Sequence, residues 1–174
     1  MPNYTNPLFE PADHALGRSR GGLSTKVHHA CDGRGRPLAV LVGPGQAHDG
    51  PMLPFVLGAI IVPRLGPGRA RTRPDAVLGD KAYSSRATRR LLRSRGITAV
   101  IPEPRDQQAH RKRRGQRGGR PVSYDPEAYK RRNVVERSFN ALKQWRGLAT
   151  RYDKLAVIYR GGAVLAAILA WLRG

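Results

Sequence analysis

The chain carries one cysteine, Cys31. It can form no internal disulfide, and a lone thiol fits a reducing cytosol. Carboxylates are also scarce, with 12 Asp and Glu against 32 Lys and Arg. No basic-then-apolar leader opens the chain at MPNYTNPLFE, so secretion is not expected. The longest apolar run, AVLAAILAWL at 163–172, is too short for a bilayer span of about 20 residues and reads as a buried terminal helix. The glycine-rich stretches GPGQ and GRGRP are not followed by Gly-Lys-Ser/Thr, so no nucleotide cofactor is implied. His14, His28, His29, His48 and His110 lack metal-ligand spacing, which argues against zinc. These absences leave the expectation of a soluble, cytoplasmic protein with no membrane partner.

What the chain has in excess is positive charge, a formal +20 at pH 7 over 174 residues. That length supports one domain with a real core. A field of this sign draws polyanions, and the planar guanidinium fork suits phosphate oxygens. The densest run, RDQQAHRKRRGQRGGR at 105–120, holds seven basic residues and one acid in sixteen. It reads as a basic low-complexity loop in which Arg111, Lys112, Arg113 and Arg114 contact a DNA backbone. No aromatics interleave with it, so base-stacking on single strands is not suggested.

LSTKVHHAC (23–31) and PLAVLVGPG (37–45) are β-rich runs joined by the turn-forming DGRGR, a hairpin. MLPFVLGAIIV (52–62) is apolar enough for a packed helix, although Pro54 puts its start in doubt. Gly and Pro punctuate 63–74 as a loop. DAVLGD (75–80) is a short buried strand ending in Asp80, SSRATRRLLRSRG (84–96) a capped helix closed by glycine, and ITAVIP (97–102) another strand. Residues 126–146 form one further helix. A hairpin followed by strand–helix alternation points to an α/β sheet with mixed strand directions.

From Tyr129 onward in that helix Glu136 is the one carboxylate, among Lys130, Arg131, Arg132, Arg137, Lys143 and Arg146. At about 100° per residue, Tyr129, Arg132, Glu136 and Lys143 fall on one stripe about 60° wide. Val134, Val135, Leu142, Trp145 and Leu148 fall on the broad opposite side that would pack on a sheet, with Phe139 at the seam. Taken without its spacing, Glu136 reads as a solvated i,i+4 ion pair, with Arg132 or with the neighbours of Lys143.

The spacing Tyr129-x2-Arg132-x3-Glu136-x6-Lys143 resembles the signature of insertion-sequence transposases with a DDE catalytic domain, of insertion-element groups four and five. ALGRSRGGLSTKVH (15–28) and VLGDKAYSS (77–85) are similar to the same family, the second being the usual setting of its second catalytic aspartate, here Asp80. The resemblance covers nearly the whole chain from about residue 12 onward. It implies an RNase H-like fold, a mixed sheet with flanking helices, and cleavage and transfer of DNA strands at the ends of an element. It implies Asp80 and Glu136 as catalytic residues and metal ligands for Mg²⁺, with Mn²⁺ as a substitute. Tyr129, Arg132 and Lys143 then hold phosphates near the element end. The residue types suit that chemistry. Two hard ions about 3.5–4 Å apart stabilise both the attacking and the leaving oxygen, and such ions prefer carboxylate ligands. The expected partner is double-stranded DNA, as element ends and target, bound by a homodimer.

The chain departs from the family in its first carboxylate. In the family this Asp lies on the first, central strand, some tens of residues before the stretch that resembles GRSRGG here. Only fourteen residues precede ALGRSRGG, and NYTNPLFEPAD does not read as that strand. Asp13 falls in a loop, Asp32 in the hairpin turn, and Asp49 reads as structural, capping a helix. The expected plan is therefore a remnant or linker at 1–14 and a partial catalytic domain at 15–174 that lacks its first strand. The chain is then either the downstream frame of a split gene, completed by an upstream-frame segment, or a truncated remnant. A second reading is a catalytically inactive DNA-binding remnant or regulator of transposition. A ribosome-associated RNA-binding protein would explain the charge but not the stripe.

Overall fold

The computed structural model describes residues 10–173. Strands β1 (Gly17–Ser19), β2 (Gly22–Cys31) and β3 (Pro37–Pro44) are followed by helix α1 (Asp49–Gly58), strand β4 (Ala76–Leu78), helix α2 (Arg86–Ser94) and strand β5 (Thr98–Val100). Helices α3 (Arg105–Arg113), α4 (Pro126–Lys130), α5 (Asn133–Lys143), α6 (Arg146–Ala149) and α7 (Ala156–Leu172) complete the order. The result is a mixed α/β fold with an antiparallel three-stranded sheet, β1-β2-β3, and a parallel pair, β4-β5. The chain divides into two compact units, one built from residues up to Thr72 and from Asn133 onward, the other from Arg73–Arg132. No helix among the described residues is long and apolar enough to cross a membrane.

The first unit is organised by the β2–β3 hairpin, whose register runs from Thr25↔Pro44 to Ala30↔Ala39 before an irregularity at Cys31. Its turn is closed by Asp32, whose Oδ1 accepts from the amides of Arg34 (2.9 Å) and Arg36 (3.0 Å). Arg36 returns its guanidinium to Asp32 Oδ2 at 2.7 Å. Gly35 sits at φ +89, a conformation that strains any residue with a Cβ, and a Cβ there would meet Val134 at 3.4 Å. The helix expected from Met52 begins at Asp49 and runs through Pro54, burying Met52, Leu53, Val56 and Leu57.

Helix α7 packs on β3 with its small residues. Ala163 and Ala167 meet Val40, with Val27 and Leu148 alongside. Trp171 Nε1 donates to the Pro37 carbonyl at 2.7 Å, and Arg36 lies 4.2 Å over the Trp171 ring. The expectation that 163–172 is a buried helix is corrected here: Leu165, Ile168, Leu169, Trp171 and Leu172 are exposed.

Residues 10–14, assigned to a remnant or linker by sequence, are bonded into this unit, while 1–9 lie outside the described residues. Arg151 donates to the His14 carbonyl at 2.8 Å, and Thr25 Oγ1 donates to the Ala15 carbonyl at 2.6 Å. The Glu10 carboxylate accepts from the amides of Ala156 (2.8 Å) and Val157 (2.9 Å), the orphan donors at the start of α7.

In the second unit α2 has the expected ends. Ser85 Oγ accepts from the Thr88 amide at 3.1 Å, and Gly96 closes the helix at φ +64. Leu92, Ile97, Val100 and Ile101 form its core. The basic stretch 105–120 is not the loop expected from its composition. It holds α3 and a 3-10 turn at Gly115–Gly118. Two bonds to residue 103 anchor α3: Arg111 pairs with the Glu103 carboxylate, and Gln108 donates to the Glu103 carbonyl at 2.9 Å.

Burial alone would push the Glu10 carboxyl up. The Val157 and Ala156 amides and His14 more than offset it, so Glu10 titrates below the ordinary glutamate range. Its stabilisation of α7 is present above the unfolded value of about 4.3 and is lost as pH falls through the lower folded value. Glu10→Ala should lower stability by about 1 kcal/mol at pH 7, a cap-sized loss, and by much less near pH 3. Urea unfolding of both proteins at the two pH values checks this; an equal difference at both would mean the carboxylate's charge is not what caps α7.

Candidate active site

Asp80 follows β4, at the carboxyl end of a parallel strand, the edge where α/β sheets gather ligands. It is half-buried, and its Oδ1 accepts from the Ala82 amide at 2.9 Å, capping a 3-10 turn at Lys81–Tyr83. The glycine before it lies in a close approach, since a Cβ on Gly79 would lie 3.1 Å from the Tyr83 ring. One oxygen of Asp80 thus fixes the turn that presents the other.

Tyr129 and Arg132 are neighbours at the end of the second unit. Asp125 caps α4 through the amides of Glu127 (2.9 Å) and Ala128 (3.1 Å), with Pro126 at the first helical turn. Tyr129 meets Tyr124 edge-on at 5.6 Å, and the Arg132 guanidinium lies 6.0 Å over the Tyr129 ring, at the outer reach of a cation–π contact. The single helix expected over 126–146 is corrected. The backbone turns at Arg131 and Arg132, with the Arg132 amide donating to the Tyr129 carbonyl at 2.9 Å, and α5 starts anew at Asn133. Trp145 is exposed and precedes α6, so it is not part of the apolar face assigned to it.

Glu136 lies in the first turn of α5, where a carboxylate complements the helix dipole. Lys143 follows two turns later on the same face, and both are exposed. The structure therefore places Glu136 and Lys143 on one face of α5, and Tyr129 and Arg132 together at the end of α4.

The side of α5 that buries Ser138 and Leu142 rests on β2. His29 Nε2 lies 2.9 Å from Ser138 Oγ, and the Phe139 ring packs edge-on to His29 at 4.1 Å. Burial pushes His29 down to about 4, so it is neutral at physiological pH. Burial, reinforced by Asp32 and opposed by Ser138, pushes the Cys31 thiol up to about 11. This seam sets the roll of α5 on the sheet and hence the side on which Glu136 emerges. Sequence reading missed it, although polar His29 and Cys31 at alternate positions of an apolar strand were a signal that something polar faces them.

On the other face of β2, His28 is 3% exposed, with Nδ1 3.3 Å from Asp49 Oδ1. Lys26 Nζ stands 3.5 Å from the same oxygen and donates to the Ala47 carbonyl at 2.7 Å. Burial lowers His28, Asp49 raises it and Lys26 lowers it, leaving it below the ordinary histidine range. Asp49 is thus structural as expected, but it sits in the first turn of α1 and pairs with β2 instead of capping. Asp13 and Asp32 are both turn residues, Asp13 accepting from the Ala15 amide at 2.9 Å.

Of the four cations singled out on 111–114, Arg111 is half-buried and held by Glu103, whereas Lys112, Arg113 and Arg114 are exposed. His110, Arg113 and Arg114 help line a shallow basic cleft with Gly118. Among the described residues no group of three or more His, Cys, Asp or Glu side chains is placed to hold a metal ion. The carboxylates of Asp80 and Glu136 match a hard cation in kind, and fall short of a three-carboxylate set in number.

Residues 7–171 match the family model described as Transposase DDE domain. The chain is 33% identical over 142 residues to a protein named as a transposase for insertion sequence element IS402 in Burkholderia cepacia, across 82% of this chain and 59% of that protein. It is 30% identical over 152 residues to one named for insertion sequence element IS6501 in Brucella ovis, across 87% of this chain and 100% of that protein. The chain thus spans about three fifths of the first relative and the full length of the second. No solved structure matches it. Matched to the family model over nearly its whole length and to two insertion-sequence transposases, the chain belongs to the DDE transposase family.

Proposed function

We propose that this chain is the strand-transferring part of an insertion-sequence transposase of the Tyr-Arg-Glu-Lys subtype, with an RNase H-like fold whose first strand is not among the described residues. The reading assigns Asp80 and Glu136 as two of three metal-binding carboxylates and places the third on an upstream-frame segment. The observation that carries it is the pairing of types: a carboxylate presented at the end of a parallel strand, and a second on the exposed face of α5 with Lys143 two turns on. Bound Mg²⁺ would supply charge stabilisation for the attacking and leaving oxygens of an in-line phosphoryl transfer. The chain's own residues position the substrate. Lys143 holds a phosphate beside Glu136, and Arg132 with Tyr129 clamps another, because these groups donate and cannot compete for the metal.

The exposed cations of α3 extend the backbone contact on double-stranded DNA. Each phosphate neutralised contributes a slope of about 0.9 to log affinity against log salt. Replacing Lys112, Arg113 and Arg114 together by Gln should therefore flatten that slope by about two to three units, measured by fluorescence anisotropy on a duplex. Arg111→Gln should leave the slope nearly unchanged, since its charge is already committed to Glu103. A triple variant with the wild-type slope would remove α3 from the interface.

Strand nicking on an end-containing duplex tests the catalytic assignment. With only two carboxylates, the chain alone should neither nick nor join. Completed by an upstream segment that carries an Asp, it should cut in Mg²⁺ or Mn²⁺. Asp80→Asn or Glu136→Gln should then abolish cutting and leave DNA binding intact. Arg132→Ala or Lys143→Ala should weaken end binding first. If the completed Glu136→Gln protein cuts at the wild-type rate, Glu136 is a surface ion-pair residue and the assignment fails.

A further inference from the structure

The Gly- and Pro-punctuated stretch after α1 is a closed arm. Val62 and Arg71 pair across its base, each amide donating to the other's carbonyl, at 2.9 and 2.8 Å. The outgoing limb leaves from Ile60, which is buried just past α1, so the arm is rooted in the packed part of the first unit. Pro63 and Pro67 fix their own φ, and the chain reverses at Gly68, φ +128, with the Arg64 side chain alongside.

The tip of this arm carries Leu65, the most exposed of the large apolar side chains among the described residues. A single exposed leucine is ordinary on a protein surface. This one differs in its setting. Arg64 stands beside it and Arg69 follows on the returning limb, both exposed, and no carboxylate occurs between Asp49 and Asp75. A protein groove that took in Leu65 would have to desolvate two guanidiniums with it. A nucleic acid instead offers phosphates to both, on either side of a stack of apolar base faces.

We propose that the 62–71 arm enters the minor groove of duplex DNA and seats Leu65 as a wedge between two base pairs, kinking the duplex there. The inference rests on the reading of duplex DNA as the partner and adds a deformation to it, using none of the residues assigned to catalysis. The minor groove is about 6 Å wide, too narrow for an α-helix and open to the tip of such an arm. Guanidiniums are drawn into it where it narrows. An apolar side chain driven between base steps from this side unstacks them and bends the duplex by about 20–90° toward the major groove. A wedge has to resist folding back, and the two bonds between Val62 and Arg71, with the two prolines, meet that need. Pyrimidine–purine steps such as TA unstack most readily, so the wedge confers a preference for them without a hydrogen bond to any base.

Two optical signals on one duplex of about 30 base pairs, with A·T pairs around a central TA step, test the wedge. A 2-aminopurine at that step reports unstacking, and a dye at each end reports bending by energy transfer. When the full wild-type chain saturates the duplex, both signals should rise. Leu65→Ala should still bind, should melt like wild type because the side chain it replaces is fully exposed, and should lose both rises. Leu65→Met should keep them. Leu65→Lys should steepen log affinity against log salt by about one unit and still lose both, which separates the wedge from charge. Arg64→Gln combined with Arg69→Gln should flatten that slope by about two units. Netropsin, which fills A·T minor grooves, should abolish both signals. Binding without either signal, signals that survive Leu65→Ala, or signals indifferent to netropsin would overturn the wedge and leave the catalytic reading standing. A chain that binds no duplex at all would overturn both.

Discussion

The bonds that Asp32 makes across the turn between β2 and β3 are the constraint on which the first unit depends. Burial alone would raise its carboxyl, but the Arg36 side chain and the Arg36 and Arg34 amides hold it below the usual carboxylate range, so it is charged when it closes the hairpin. Those bonds fix which residue of β3 faces which residue of β2. A slip of one position would reverse every side chain on the strand. His28 would leave Asp49, and His29 would leave Ser138. The same Arg36 that completes the turn also lies over the Trp171 ring, so turn, sheet and last helix share one guanidinium.

From that register the placement of Glu136 follows in two steps. His29 and Phe139 set the roll of α5, and Gly35 lets the turn approach Val134. The exposed face of α5 is what remains, and Glu136 and Lys143 occupy it. Asp80 is placed by separate means, through the glycine that precedes it and the 3-10 turn it caps. Each carboxylate owes its position to small local contacts around it.

Much of this was legible in the sequence where the signals are local. The hairpin announced itself by two β-rich runs around DGRGR, α2 by Ser85 and Gly96, and Asp80 by its place after a short apolar run. The interruption at Arg131 and Arg132 was not legible, because neither proline nor glycine marks it and the helical period passes straight through. Helix α3 hid behind its composition. Its anchor at Glu103 is eight residues from Arg111, a contact that a charge count reads as one more acid lost among cations. The cap on α7 comes from Glu10, far away in the chain, and no window around residue 156 contains it. Apolar content alone said that 163–172 was buried, when burial falls to its alanines and exposure to its leucines.

That reversal on α7 constrains how the helix can vary. Ala163 and Ala167 allow the helix backbone to lie close against β3, and Ala163 is 1% exposed. A larger residue at either position would have to lift the whole helix, straining the Arg160, Trp171 and Glu10 bonds at once, a cost of about 1–3 kcal/mol for overpacking alone. The leucines opposite can exchange for other apolar residues with no such penalty. Drift in this family should therefore run along the outside of its last helix and stall on its smallest residues, the reverse of what residue size would suggest.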